Sequence, residues 1–140
     1  MSIISTNQTR FNQAAATWDK NPRAVAIAQA ITESLLQEIP LNAHMEAMDF
    51  GCGTGLIALP LAAHLKQITA IDSAEHMLAV CTQKCIAQGI NTISCHASLQ
   101  RQGFTVITLK TAHTIDKQID SGVTQTYPIF FLVAQKLENI

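Results

Sequence analysis

Apolar positions in the first third of the chain recur at helical spacing. Val25, Ala28, Ile31, Leu35 and Ile39 follow one another at steps of three and four residues, which predicts an amphipathic helix over residues 22–38. Asn21 followed by Pro22 reads as an N-cap with proline at the first helical position, and Pro40 stops the run. Upstream, residues 6–18 pass from polar to apolar and predict a short helix. Residues 45–50 are short and mostly apolar, as a buried parallel strand should be. Residues 54–65 read as a helix whose early turns Pro60 kinks or shortens. Residues 67–72 form the second predicted strand. Ser73 is the expected cap of a helix running to about residue 88, closed by Gly89. Residues 91–96 complete a strand–helix–strand–helix–strand pattern, which implies a parallel sheet with right-handed crossovers.

After His96 the rhythm changes. Six residues, Ala97 to Gln102, separate the third strand from Gly103. Residues 104–110 then alternate apolar and polar, residues 111–125 are polar and carry Gly122, and residues 127–135 are strongly apolar. The last two runs predict an antiparallel hairpin. The chain reads as one α/β domain in three parts: a helical segment over 1–40, a β-α-β-α-β half over 41–97 and a hairpin over 98–140.

Composition narrows the function classes. The 140 residues are 48% hydrophobic and 14% charged, with a formal net charge of -1. A single domain of that size buries a real core. The balance gives no electrostatic case for nucleic acid or an anionic membrane as partner. No apolar run approaches the roughly 20 residues of a membrane span. Residues 1–10 are polar, without the apolar centre of a secretory leader, so a cytoplasmic location is the default. Cys52, Cys81, Cys85 and Cys95 then read as reduced thiols. No C-x-x-C pair supports a metal site, and Cys81 and Cys85, one helical turn apart, read as small residues on a buried face. The five histidines are scattered. His113, on the hairpin, could reach an acceptor pocket, but a lone histidine is more often a surface or satisfied residue than a catalyst, and that reading is preferred for it.

The chemistry concentrates at Met48-Asp49-Phe50-Gly51-Cys52-Gly53-Thr54-Gly55. Three glycines at spacing two crowd a strand end where the backbone must reach φ values other residues avoid, or where a ligand comes close. A following helix would turn its free N–H groups on that ligand. A dinucleotide fingerprint is G-x-G-x-x-G, whereas this turn is G-x-G-x-G, so a nicotinamide dehydrogenase fails on spacing. Asp72, 17 residues past Gly55, ends the second strand and faces the same crevice, where its carboxylate can accept both hydroxyls of a ribose. Met77 in the next helix can lie against a purine face. Alone, Asp72 would do no more than favour a helix N-terminus. Paired with the glycine turn, it points to a nucleoside.

These two motifs, with Ala70-Ile71-Asp72-Ser73-Ala74-Glu75-His76-Met77-Leu78 as the second, resemble the paired signature of class I S-adenosylmethionine-dependent methyltransferases. The likeness is to the small-molecule branch of the ubiquinone and menaquinone type. Residues 11–19 resemble that branch's lead-in, where a helix covers the cofactor, and residues 99–104 and 127–136 resemble its final helix end and closing hairpin. The resemblance implies a Rossmann-like three-layer α/β/α fold and S-adenosyl-L-methionine as cofactor. Gly51, Cys52 and Gly53 would wrap the methionine part, and Asp49 would orient its amino group. Asp72 would bind the ribose hydroxyls, with Ser73 and Met77 bordering adenine. The sulfonium is already a reactive methyl donor, so the protein mainly supplies proximity and orientation. A small-molecule acceptor is implied. No catalytic base is identified, and none is needed for some acceptors.

The family continues after its third strand with an acid-bearing loop, a fourth strand, a helix, a fifth strand and another helix, none of which has a counterpart here. In the family's strand order 3-2-1-4-5-7-6, losing strands 4 and 5 makes the chain cross four strand spacings, on the order of 19 Å. Seven extended residues reach roughly 24 Å, with no slack to pass over the sheet. Hairpin pairing beside the third strand would instead leave the first strand as an unpaired apolar edge. Exchange of the hairpin between two chains satisfies both constraints, so a homodimer, hairpin-swapped, is expected. The leading function is methyl transfer to a small molecule. The alternative is a catalytically impaired module that binds the cofactor or its demethylated product, or pairs with a partner chain.

Overall fold

A computed structural model describes residues 3–98, 104–118, 122 and 124–136. The chain divides into two compact units, Met1–Ser98 and Leu99–Ile140.

In the first unit, helix α1 (Ile3–Ala14) runs into a 3-10 turn (Ala15–Lys20), and helix α2 spans Pro22–Glu38. The expected start of α2 is present: the Asn21 side-chain oxygen accepts the N–H groups of Arg23 at 3.0 Å and Ala24 at 3.4 Å, with Pro22 at the first helical position. Strands β1 (Glu46–Phe50), β2 (Gln67–Ile71) and β3 (Ile93–His96) form a parallel sheet in the order β1-β2-β3. The register sets Asp49 beside Ala70, Ile71 beside both Phe50 and His96, and Ala70 beside Cys95. All three carboxyl ends therefore finish on one line. This is the Rossmann-like parallel sheet expected from the alternating pattern.

The core sits on β2. Ile68 and Ala70 are essentially inaccessible. Ile68 packs with Ala58, Leu61, Ala62 and Leu65, while Ala70 packs with Cys52 and Leu78. Ile68 and Ala70, two residues apart, turn to one face of the strand, and burying an Ile of this kind contributes about 1.5–3 kcal/mol.

Two local expectations are corrected here. The predicted helix over 54–65 is reduced to α3 (Ala58–Leu61) and a 3-10 turn (Ala62–His64). The glycine turn consumes the preceding residues, because Gly55 holds a φ of +84° that no helix accommodates. Pro60, having no N–H to donate, lies within the first turn of what remains. Helix α4 (Glu75–Gln88) has Ala74, not Ser73, at its N-cap, with no side-chain cap from that residue. Its free amides are served from elsewhere: the Ala74 N–H donates to Asp72 Oδ1 at 2.8 Å, and the His76 N–H donates to Asn12 Oδ1 on α1 at 2.9 Å. Gly89 closes α4 as expected, with a φ of +66°.

In the second unit, β4 (Phe104–Gln118) pairs antiparallel with β5 (Thr124–Lys136), with irregularities between Val106 and Thr108 and between Thr111 and His113. Both strands are longer than the predicted 104–110 and 127–135. Thr111, Thr114 and Ile115 are β-branched residues that suit a ladder despite their polar company.

Candidate functional site

The glycine turn is tied to the sheet at two points. The N–H groups of Gly51 and Cys52 both donate to the Ile71 carbonyl at the end of β2, at 2.7 and 2.9 Å. Gly51, Gly53 and Gly55 have φ values of +80°, +55° and +84°, all in the left-handed region. They differ in what surrounds them. A Cβ on Gly55 would run into Leu59 and lie 2.7 Å from the Cys81 sulfur, whereas a Cβ on Gly51 would meet nothing within 4 Å. Gly55 is therefore glycine for packing. Gly51 is glycine where the backbone faces open space at a strand end, which suits a ligand.

Asp72 is the bracket of this turn. Its Oδ2 accepts the Gly53 N–H at 2.8 Å while its Oδ1 accepts the Ala74 N–H. One carboxylate thus joins the glycine turn to the start of α4. Two oxygens offer about four acceptor sites, so capacity for further donors is left.

Asp49 has the opposite environment. Its Oδ2 is buried with no hydrogen-bond partner among the described residues. Burial first, and the neighbouring Asp72 charge second, hold its carboxyl above the ordinary 3.8. An unpartnered buried carboxylate oxygen is the feature that most calls for a cationic or donor ligand.

The other expected residues lie around these. Cys52 is buried against Ala70 and Leu78. Met77 is 2% exposed, its sulfur 3.9 Å from the point a Gly53 Cβ would occupy. It is covered by Ala15 and Trp18, with Ala74 beside it. Ser73 is exposed at the rim, where its carbonyl accepts the Gln8 side-chain amide at 2.7 Å. Asp49, Gly51, Cys52, Gly53, Asp72 and Met77 are thus drawn together at the carboxyl ends of β1 and β2. Among the described residues no group of three or more His, Cys, Asp or Glu side chains is placed to hold a metal ion. His113 belongs to the second unit.

Sequence reasoning missed Thr54 and Asp19. Thr54 is 1% exposed, and its hydroxyl donates to Asp19 Oδ1 at 2.5 Å. Lys84 of α4 donates to Asp19 Oδ2 at 2.7 Å. The one signal available was spacing: Gln8, Asn12, Ala15 and Asp19 fall at steps of four, three and four, one face of a helix.

Comparisons with known proteins bear on the family and the fold. A family described as a methyltransferase domain matches residues 47–127. The structure of a DhpI-SAM-HEP complex superposes with a TM-score of 0.56 at 16% identity, covering 70% of this chain and 44% of that one. The YcgJ protein from Bacillus subtilis superposes at 0.48 and 16% identity, covering 50% of this chain and 30% of that one. A SAM-dependent methyltransferase from Aquifex aeolicus does so at 0.43 and 25% identity, covering 48% and 37%. The chain therefore spans less than half the length of each of these three proteins. No curated protein matches it. The family match extends over more than half of the residues and includes β1, the glycine turn and Asp72: the chain belongs to the methyltransferase-domain family.

Proposed function

We propose that the chain binds S-adenosyl-L-methionine at the glycine turn and transfers its methyl group to a small-molecule acceptor. The observation that carries the reading is the unpartnered, buried Oδ2 of Asp49 beside an open backbone cradle. The methionine part of the cofactor bears an ammonium, which fits that oxygen. The Gly51–Gly53 backbone would hold this part. Asp72, with acceptor capacity to spare, would take the ribose hydroxyls, and Ser73 and Met77 would border the adenine. The bound sulfonium supplies an activated methyl. The protein's part is to fix the donor in line with the acceptor and to keep the Asp49 charge compensated. The lightly charged surface and net charge of -1 favour a small acceptor over nucleic acid.

A second feature concerns assembly. Among the described residues strand β1 is at the edge of the three-stranded sheet, with Met45 37% exposed just before it, while Ile27 and Ile31 of α2 are 48% and 43% exposed and Ile39, after it, is 42% exposed. An apolar sheet edge invites pairing, and a homodimer with exchanged hairpins would supply it. Light scattering at twice the 15.2 kDa chain mass supports the dimer, and a monomer refutes it. The cytoplasm is the proposed compartment. No helix among the described residues is long and apolar enough to cross a membrane.

The test is methyl transfer itself. Radiolabelled S-adenosylmethionine incubated with a panel of small amines, phenols and acids should label an acceptor. Cofactor binding without labelling of any acceptor would favour the impaired module.

A further inference from the structure

Three contacts fasten residues 8–19 to the cofactor-side rim. Gln8 bonds the Ser73 carbonyl, Asn12 caps α4 through the His76 N–H, and Asp19 reaches Thr54 and Lys84. The first two end on the β2–α4 connection and the start of α4. Of these contacts, only Asp19's touches the glycine turn. It does so through a hydroxyl that is otherwise sealed from solvent, with Thr54 at 1% exposure. The Asp19 and Lys84 side chains are 34% and 25% exposed, so the geometry of the contact, rather than burial of the pair, is what ties the segment to α4.

Between these fastenings, Ala15 and Trp18 pack in one cluster with Ala74 and Met77. Met77 is the residue expected to border the adenine, yet it is 2% exposed. Ala15 and Trp18 are among the residues packed in its cluster, so their displacement would open one side of it. The contact nearest to those residues is Asp19.

We propose that Asp19 is a positioning residue that couples residues 8–19 to the glycine turn, so that release of the Asp19–Thr54–Lys84 cluster governs entry and departure of the cofactor. This rests on the cofactor reading above. Asp19 touches no reacting atom. It acts through Thr54 on the turn and through Lys84 on α4. When the cluster is formed, the turn is held through Thr54 as well as through Asp72, and residues 15–18 stay packed with Met77. When it opens, the hold through Thr54 and that packing are lost together.

The test uses the whole chain and S-adenosylhomocysteine as probe, with amide exchange read in parallel. Asp19→Ala should deprotect residues 8–19 and the Thr54–Gly55 amides together, and speed dissociation of the probe roughly ten- to hundred-fold, the loss expected for a hydrogen bond to a charged group. Thr54→Val, which keeps shape and removes the donor, should do the same, and the double variant should add nothing to either single one. Lys84→Met should give a smaller change in the same direction, and it stands in should Asp19→Ala not fold. Deprotection of residues 8–19 alone, or additive effects in the double variant, would overturn the coupling. An unchanged dissociation rate in a deprotected variant would overturn control of exchange. Should the wild-type chain bind no S-adenosylhomocysteine, the cofactor reading falls, whereas the exchange arm still decides whether Asp19 couples the segment to the turn.

Discussion

Asp49 and Asp72 stand at the carboxyl ends of adjacent strands, and the charge of Asp72 adds to burial in making Asp49 harder to ionise. The two acids divide the work of the site. Asp72 spends its charge on two backbone N–H groups. Asp49 keeps one oxygen buried and without a hydrogen-bond partner among the described residues, where its charge is costly unless a ligand compensates it.

Asp49→Asn should therefore stabilise the ligand-free chain and weaken the cofactor-bound one. Removing a buried uncompensated charge is worth about 1 kcal/mol, roughly 4 °C in a domain of this size. Thermal melts with and without S-adenosylhomocysteine check both halves. A variant that melts lower without ligand contradicts the assignment.

The same carboxyl sets a pH dependence. Its folded pKa lies above the ordinary 3.8, so folding favours the protonated form. The contribution is complete below the ordinary value and is lost as pH rises through the elevated folded one. Stability of the ligand-free wild type should decline over that acid interval relative to Asp49→Asn. Urea midpoints measured across it, parallel in both proteins, would refute this.

The glycines should separate. Gly55→Ala combines a left-handed φ with collisions against Leu59 and Cys81 and should cost on the order of 2–4 kcal/mol. Gly51→Ala meets no neighbour and should cost about 1 kcal/mol, while losing affinity for the cofactor out of proportion. Denaturant unfolding paired with calorimetry distinguishes them. Equal destabilisation would contradict the difference in packing between the two glycines, and an unchanged affinity in Gly51→Ala would mean that the open space over Gly51 has no bearing on binding.

These sites differ in how far the sequence announced them. The glycine turn was legible because positive φ is written directly as residue type, and Asp72 because its distance from the turn is fixed by one crossover. Asn21-Pro22 and Gly89 marked helix ends for the same local reason. What escaped was long-range. Asn12 caps a helix 64 residues away and Lys84 pairs with Asp19 across 65 residues, and the local spacing around Asn12 and Asp19 names neither distant partner. Ser73 had the right type for a cap, but Asp72 and Asn12 reached the amides instead. The 54–65 helix failed because periodicity continued through residues that the turn had already claimed. The segments at 99–103 and 137–140, including the resemblance drawn on Leu99 to Gly103, lie outside the described residues.

The cysteines give a chemical check on the core. The Cys81 thiol is pushed up to about 12, chiefly by its hydrogen bond with Cys52, with burial also raising it, and it meets the Cys95 thiol at 3.6 Å. A thiol raised in this way is scarcely ionised near neutral pH. Iodoacetamide should leave Cys81 unmodified in the folded chain and label it in urea. Rapid labelling of the native protein at Cys81 would place that thiol outside the core.

Calorimetric titration of the wild-type chain with S-adenosylmethionine and, separately, with NAD bears most directly on the central claim. One site with micromolar affinity for the first and none for the second is the expected result, and Asp72→Ala should weaken that affinity by about 1.5–3 kcal/mol for each hydrogen bond lost. A folded chain that binds neither, or binds NAD in preference, would contradict the reading of Gly51, Gly53, Asp49 and Asp72 as a methyl-donor site.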